Sequence, residues 1–319
     1  MQPAFYTNFN YLTNPIFIMK TNKFLLKSMI VVSSVAFMAS CNEDDGPNLP
    51  PIGGYNSSDE VGGVDLVAHW PLEGNGIEAK SNTAPSNTVG ASYEVGAKGQ
   101  GLKLTNGYLA FPQIAALGTT MQSMTVSLWA KVTNNGGPGA DGHPTMLFNL
   151  SRPNEWAGNF SLFAETGGRA AVNDTLLMKG LVVIKNTDGS GNFQDVINSP
   201  KPSVEDLANG HVGNANKNGG KWAHYVATWN GAEGKFMLYA NGQKISNPAF
   251  EVRGGGAALP LNFFTPTRAI IGTFETVISG TPDGWQRPAN VNIDEIRVFK
   301  KALNQADITA LYELEAAGR

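Results

Sequence analysis

The sequence predicts an all-β domain: a jelly-roll sandwich of two antiparallel sheets with one short C-terminal helix. Three observations predict it. Apolar residues recur with period two in one short run after another. No helical pattern alternates with these runs, as a parallel α/β sheet would require. Turn residues fill the gaps: Gly occurs 37 times in 319 residues and charged residues make up 15%, a balance suited to short strands and many turns.

Taken in order, Thr125 to Val132 is the clearest strand. It puts Val126, Leu128, Ala130 and Val132 on one face and Thr125, Ser127, Trp129 and Lys131 on the other. Similar runs are TMLFNL from Thr145, FSLFAE from Phe160, LVVIK from Leu181 and WAHYVATW from Trp222. KFMLYA from Lys235, AIIGTF from Ala269 and VNIDEIRVF from Val291 complete the set. Asn241-Gly242 between KFMLYA and QKIS predicts a type I′ hairpin. Asn304, with Asp307 three residues later, predicts the start of a helix whose apolar face is Ile308, Leu311, Tyr312 and Leu314.

The region before the domain raises a different question, set by Cys41, the single cysteine of the chain. Alone it forms no intramolecular disulfide, which leaves a buried apolar residue, a reactive thiol, a metal ligand or an attachment point. Lys20, Lys23 and Lys27 form a basic region before the apolar run Met29 to Met38, and Ala39 and Ser40 follow. This is the layout of a secretory signal peptide over residues 1–40, and its apolar run is too short to span a bilayer. Residues 1–18 carry no charge, and Met19 is the expected initiator. The segment FMASC resembles the bacterial lipobox, which implies lipid on Cys41. Residues 41–63 are rich in Pro, Gly, Ser and Asn and read as a flexible tether. The acidic cluster Glu43, Asp44, Asp45 resembles the signal that sends some lipoproteins to the outer face of the outer membrane.

Removing residues 1–40 takes away three of the 23 Lys and Arg and none of the 26 Asp and Glu, leaving a formal charge of −6. That argues against a nucleic-acid partner, which would need clustered cations. Residues 64–319 are then one large β domain.

Several motifs recur in a recognisable order. Leu66-Val-Ala-His-Trp-Pro-Leu-Glu-Gly-Asn75 and Gly99-Gln-Gly-Leu-Lys-Leu104 come first, followed by Met124-Thr-Val-Ser-Leu-Trp-Ala-Lys131. Then come Lys221-Trp-Ala-His-Tyr-Val-Ala-Thr-Trp229, Lys235-Phe-Met-Leu-Tyr-Ala-Asn-Gly242 and Asn292-Ile-Asp-Glu-Ile-Arg-Val-Phe299. In order and spacing this resembles the LamG-like domains of the concanavalin A-like lectin/glucanase superfamily. The resemblance implies a jelly roll. It leaves function open, because that fold hosts lectins, glycosidases, lyases and adhesion modules.

Catalytic patterns are weak. The glucanase branch uses an E-x-D-x-x-E strand; the nearest stretch, Val291 to Arg297, holds only Asp294 and Glu295. Adjacent acids on a regular strand point to opposite faces and cannot share a substrate, so Asp294 reads as structural or as a rim contact, and the resemblance implies the structural role. His69 and His224 lie within strand patterns and read as sheet histidines. A lyase would need His224, Tyr239 and Arg297 to converge on the concave sheet. Asp188 to Asp195 offers oxygen ligands but lacks the Gly and Glu of an EF-hand loop. It reads as a polar hairpin turn, and calcium elsewhere on the rim stays open.

Sugar binding needs aromatic faces beside planar polar groups. Trp129, Trp222 and Trp229 fall within strands and read as packing residues. Trp156 and Trp285 sit in Gly/Pro loops beside Arg152, Asn154, Asp283 and Arg287, and are either binding residues or loop tryptophans folded back on the sandwich edge. His143 joins them as a ligand candidate. The stretches 134–158 and 186–220 are long and loop-rich, which is where specificity sits on a rigid sandwich. The expectation is a surface lipoprotein that binds glycans without catalysis, perched on the outer membrane through Cys41 as part of a glycan-uptake complex. A hydrolase or lyase on the same fold, or a protein-binding adhesion module, is the alternative.

Overall fold

The computed structural model describes residues 49–118 and 120–319. Cys41 and residues 1–40, on which the lipid and signal expectations fall, lie outside them.

Thirteen strands form the domain: β1 (Leu66–Trp70), β2 (Asn87–Val95), β3 (Gln100–Ala110), β4 (Met124–Lys131), β5 (Thr145–Arg152), β6 (Glu155–Ala164), β7 (Met178–Lys185), β8 (Gly191–Ile197), β9 (Trp222–Asn230), β10 (Lys235–Ala240), β11 (Gln243–Lys244), β12 (Ala269–Ile271) and β13 (Ala289–Phe299). All pairings between these strands are antiparallel. The order β11-β10-β9-β4-β13-β3-β12-β5-β6-β7-β8 is one continuous path, with β1 on β13 and β2 on β3.

The expected two sheets are therefore the two halves of one curled sheet. β3 turns the corner: Leu102 and Leu104 pair with β13, while Leu109 and Ala110 pair with β12. The bend falls at Asn106, in the left-handed region at φ 47°, and Gly107. A Cβ on Gly107 would lie 2.4 Å from the Val89 carbonyl oxygen, so only glycine lets β2 and β3 approach there.

The main core lies between the halves. Leu128, Leu238 and Phe236 from one side meet Phe148, Leu162 and Val182 from the other. Phe160 and Phe236 cross the gap edge-to-face at 5.8 Å. Val126, Leu128, Ala130 and Val132 all face this core, as their period predicts. Asn241 and Gly242 both have positive φ, at 49° and 73°, as a type I′ turn requires.

Thr125, Ser127 and Trp129 are buried as well, although they face away from the core. Tertiary packing covers them. The C-terminal helix, capped by the Asn304 side chain accepting from Asp307 N at 2.9 Å, lies across the outer face of the first half. Its Ile308, Leu311 and Leu314 pack on Val226, Tyr239 and Phe299. Two five-residue helices, α1 (Val204–Ala208) and α2 (Glu275–Ser279), were not expected; the C-terminal helix is α3 (Gln305–Ala316).

Residues 49–63, which composition assigns to the tether, fold onto the same face. Ser58 N donates to the Arg319 carbonyl at 3.3 Å, Tyr55 Oη donates to Asp307 at 2.9 Å, and Val61 is buried beside Leu303. Residues 49–319 are one unit. The apolar content of the segment is small, but α3 supplies the partners.

Beneath α3 lies a buried charge network. Arg297 donates to Glu315 and Glu295, each at 2.8 Å, and to Asp59 at 2.7 Å. His69 Nε2 meets Glu295 at 2.9 Å, and Trp129 Nε1 donates to Glu315 at 2.8 Å. The expectation that Asp294 and Glu295 take opposite faces is corrected. Ile293 and Ile296 both face the core, the register against β4 shifts between Asp294 and Arg297, and Glu295 sits at φ 46°. This is a β-bulge, and it turns both acids outward. Asp294 accepts from the backbone N–H groups of Ala97, Lys98 and Glu295, each at 2.9 Å, which accords with a structural role. Burial raises its carboxyl to about 7.

Candidate functional site

His224 and Arg297 do converge, with Tyr239 on the same covered face, but under α3, with no exposed side-chain surface on either His224 or Arg297. His224 Nε2 contacts Ser127 Oγ at 2.6 Å, and burial, aided by Arg297, lowers its ring to about 3, so it is neutral. A substrate cannot reach this group, and the lyase arrangement is not formed.

The sequence-selected tryptophans meet on the outer face of the second half. Trp156 opens β6, and Trp285 lies in the loop after α2. Their rings stand edge-to-face at 5.3 Å, and Trp285 makes the same contact with Phe274 at 5.3 Å. Below them lies a buried cluster of Met146, Phe163, Leu181 and Val183. Trp156 is half-buried, whereas Trp285 remains 38% exposed. Part of each loop tryptophan is thus folded back on the sandwich, and part stays at the surface.

The Trp285 loop is rigid for its length. Gln286 is buried, bonded to the Thr276 hydroxyl and donating to Asp283 at 3.1 Å. Arg287 reaches across to Asp141 at 3.0 Å, joining this loop to the one that carries His143. Arg152 is placed differently from expectation. Only 5% exposed, it donates from Nε to the Ala157 carbonyl at 2.6 Å and lies over the rings of Phe193 and Phe264 at 5.3 and 5.0 Å. It shapes the β5–β6 hairpin from within. Burial lowers its guanidinium from the ordinary value, against the pull of Glu155.

Asn154, at the tip of that hairpin with φ 58°, is exposed and lines a cavity of about 340 Å³. Phe111, Pro153 and Pro266 supply apolar walls, and Arg268 and Glu275 supply charge. Arg268 grips Glu275 through two bonds, Nε–Oε2 at 2.8 Å and Nη2–Oε1 at 2.5 Å. Such a fork holds the guanidinium and the carboxylate in one plane. Neither residue stood out in the sequence. They lie seven positions apart, and only the fold of α2 against the end of β12 brings them to one wall. The α2 turn carries Glu275 into this cavity and Phe274 into the tryptophan cluster, so the two features share an element.

His143 lines a second cavity, of about 600 Å³, with Glu165, Arg169, Lys179, Asp195 and Phe250. Asp188 and Asp195 do not meet: Asp188 caps its own turn by accepting from Ser190 N at 2.9 Å, and Asp195 pairs with Lys179 at 3.2 Å from within β8. Among the described residues no group of three or more His, Cys, Asp or Glu is placed to hold a metal ion.

A family profile described as Laminin_G_3, concanavalin A-like lectin/glucanases superfamily, matches residues 103–309. No curated protein matches the chain. Among solved structures, the binding domain of Paraclostridial Mosquitocidal Protein 1 is similar with a TM-score of 0.50 at 13% identity, over 79% of this chain and 52% of that one. The binding domain of botulinum neurotoxin serotype G gives a TM-score of 0.50 at 10% identity, over 78% of this chain and 51% of that one. This chain thus aligns with about half the length of each. Domain 4 of AbnA, a GH43 extracellular arabinanase from Geobacillus stearothermophilus, in complex with arabinotriose, gives 0.48 at 17% identity over 77% of this chain and 98% of that one. At these identities the likeness is one of fold.

Proposed function

The chain belongs to the concanavalin A-like lectin/glucanases superfamily, and from that premise we propose that it is a non-catalytic glycan-binding protein whose site is the Trp156–Trp285 pair and the adjoining Arg268–Glu275 cavity. One observation carries the reading. A partly exposed aromatic pair and a bidentate Arg–carboxylate fork share the α2 turn and the β5–β6 hairpin, giving an apolar surface for a ring beside fixed partners for its hydroxyls. His224 and Arg297, the sheet-face pair of catalytic residue types that converges among the described residues, are sealed under α3. We further propose that Cys41 carries lipid, that residues 1–40 are a cleaved signal, and that the protein is displayed on the outer membrane beside a glycan-uptake complex. The FMASC segment and the acidic run after it support that placement.

Two measurements test this. The full chain, extracted in detergent, is screened for retention on plant, fungal and host polysaccharides, with calcium and with chelator. Retention on one class that is lost in Arg268→Met is expected; retention on none would favour a protein partner. Cys41→Ser is expected to abolish labelling by radioactive palmitate and to move the protein out of the membrane fraction. Unchanged labelling would sink the lipid assignment.

A further inference from the structure

The second cavity lies on the same outer face as the tryptophans and is joined to them. β6 runs from Glu155 to Ala164, with Trp156 near its start, and Glu165 follows at the cavity wall. Nine strand rises separate Trp156 from Glu165, about 30 Å. Between them on this face Phe163 packs in the tryptophan cluster, and Lys179 of the cavity lies 6.0 Å from its ring. Above, the exposed Arg287–Asp141 pair ties the Trp285 loop to the His143 loop.

The chemistry of the cavity is mixed. Lys179 and Arg169 match Glu165 and Asp195 in charge, so the lining presents no net charge to repel or select an ion. Leu177, Ile197 and Phe250 add apolar surface. Asp195 is held by Lys179 at 3.2 Å and by Arg253 at 3.3 Å. Glu165 is different: it is half-buried, accepts no hydrogen bond from any described residue, and burial raises its carboxyl against the pull of Lys179. The Glu165 carboxyl is open to solvent on the cavity side, where a ligand hydroxyl can replace the water that solvates it. Neutral hydroxyls, which both donate and accept, suit such a lining better than a charged ligand does.

We infer that this cavity is a distal subsite of the same glycan site, so that the ligand is an internal stretch of a neutral polysaccharide spanning from the tryptophan pair to Glu165, not a terminal sugar. The inference rests on the glycan reading above. Two linked subsites raise the affinity for a chain that reaches both, since the second contact forms at high effective concentration.

The test is isothermal titration of the full chain with cello-, xylo-, arabino- and chito-oligosaccharide ladders, from disaccharide to octasaccharide. One ladder is expected to show at least a tenfold gain in affinity between tetrasaccharide and octasaccharide. Glu165→Ala removes a side chain with no bonding role in the fold, so its thermal midpoint should match the parent. It is expected to bring octasaccharide affinity down to the tetrasaccharide level and leave the tetrasaccharide unchanged. Arg169→Ala, at the half-exposed rim, should act the same way more weakly. Equal affinity for short and long ligands, or equal weakening of both by Glu165→Ala, overturns the distal subsite while leaving the tryptophan site standing. No binding to any ladder, by protein that unfolds normally, overturns the glycan reading itself.

Discussion

Replacing Arg297 by methionine is expected to lower the stability of the domain by about 3–5 kcal/mol, because it leaves Glu295 and Glu315 buried without their cation. For a domain of this size that is a drop of roughly 10 °C in Tm. Arg297 has no exposed surface and joins four elements: β13, α3, the residues around Asp59 and, through Glu295, His69 of β1. The pH dependence of the loss is part of the prediction. In the parent protein burial alone would raise the Glu295 carboxyl, but His69, Arg297 and Lys98 outweigh it and hold it below its ordinary value of 4.5. Its contribution is present above that value and is lost as pH falls. Burial already raises Glu315 against Arg297. Without the guanidinium, burial raises Glu315 further, and Glu295 keeps only His69 and Lys98 against it. Groups whose folded values lie above their unfolded ones contribute most at low pH and lose that contribution as pH rises. The deficit of Arg297→Met should therefore be smallest near pH 4.5 and largest at neutral pH, measured by thermal unfolding across that range. The pair change Arg297→Met with Glu315→Leu should recover part of the loss, since an apolar pair of similar volume can replace a buried ion pair. A pH-independent loss below 1 kcal/mol would mean that the network carries little of the stability.

Trp285→Ala is expected to weaken binding of the retained glycan at least about 30-fold, the effect of a central aromatic anchor worth about 2 kcal/mol. Trp285 is the more exposed ring of the pair and packs on Phe274, so its removal takes away both the platform and its alignment. Trp156→Ala should weaken binding too, with a larger cost in stability, because Trp156 packs on the buried cluster around Phe163. Trp285→Phe should recover most of the affinity if a ring face is what the sugar meets. Unchanged affinity in Trp285→Ala, measured by titration on protein of unaltered Tm, would remove the tryptophan pair from the site.

The amino-acid order alone determined most of the strands, because burial on one face of a pleat leaves a period of two that local reading can see; β2 and β8 carry no such period, and β8 lies in a stretch that reads as loop. It also determined the Asn241-Gly242 hairpin and the Asn304 cap, where chemistry and geometry lie within a few residues. It singled out Trp156 and Trp285, because a large aromatic in a Gly/Pro loop is anomalous without reference to any fold. Tertiary structure decided the rest. That two sheets are one curled sheet depends on β3 crossing between the halves, a matter of long-range pairing. That residues 49–63 are part of the domain depends on α3, which lies over 240 residues away in sequence yet meets Tyr55 through Asp307. That Asp294 and Glu295 share a face depends on one extra residue in β13, which a period-two reading cannot place. The Arg268–Glu275 fork and the unpartnered Glu165 are ordinary charged residues in the sequence. They become candidates only where distant loops enclose them, because a carboxyl or a guanidinium acquires its chemistry from what surrounds it in space.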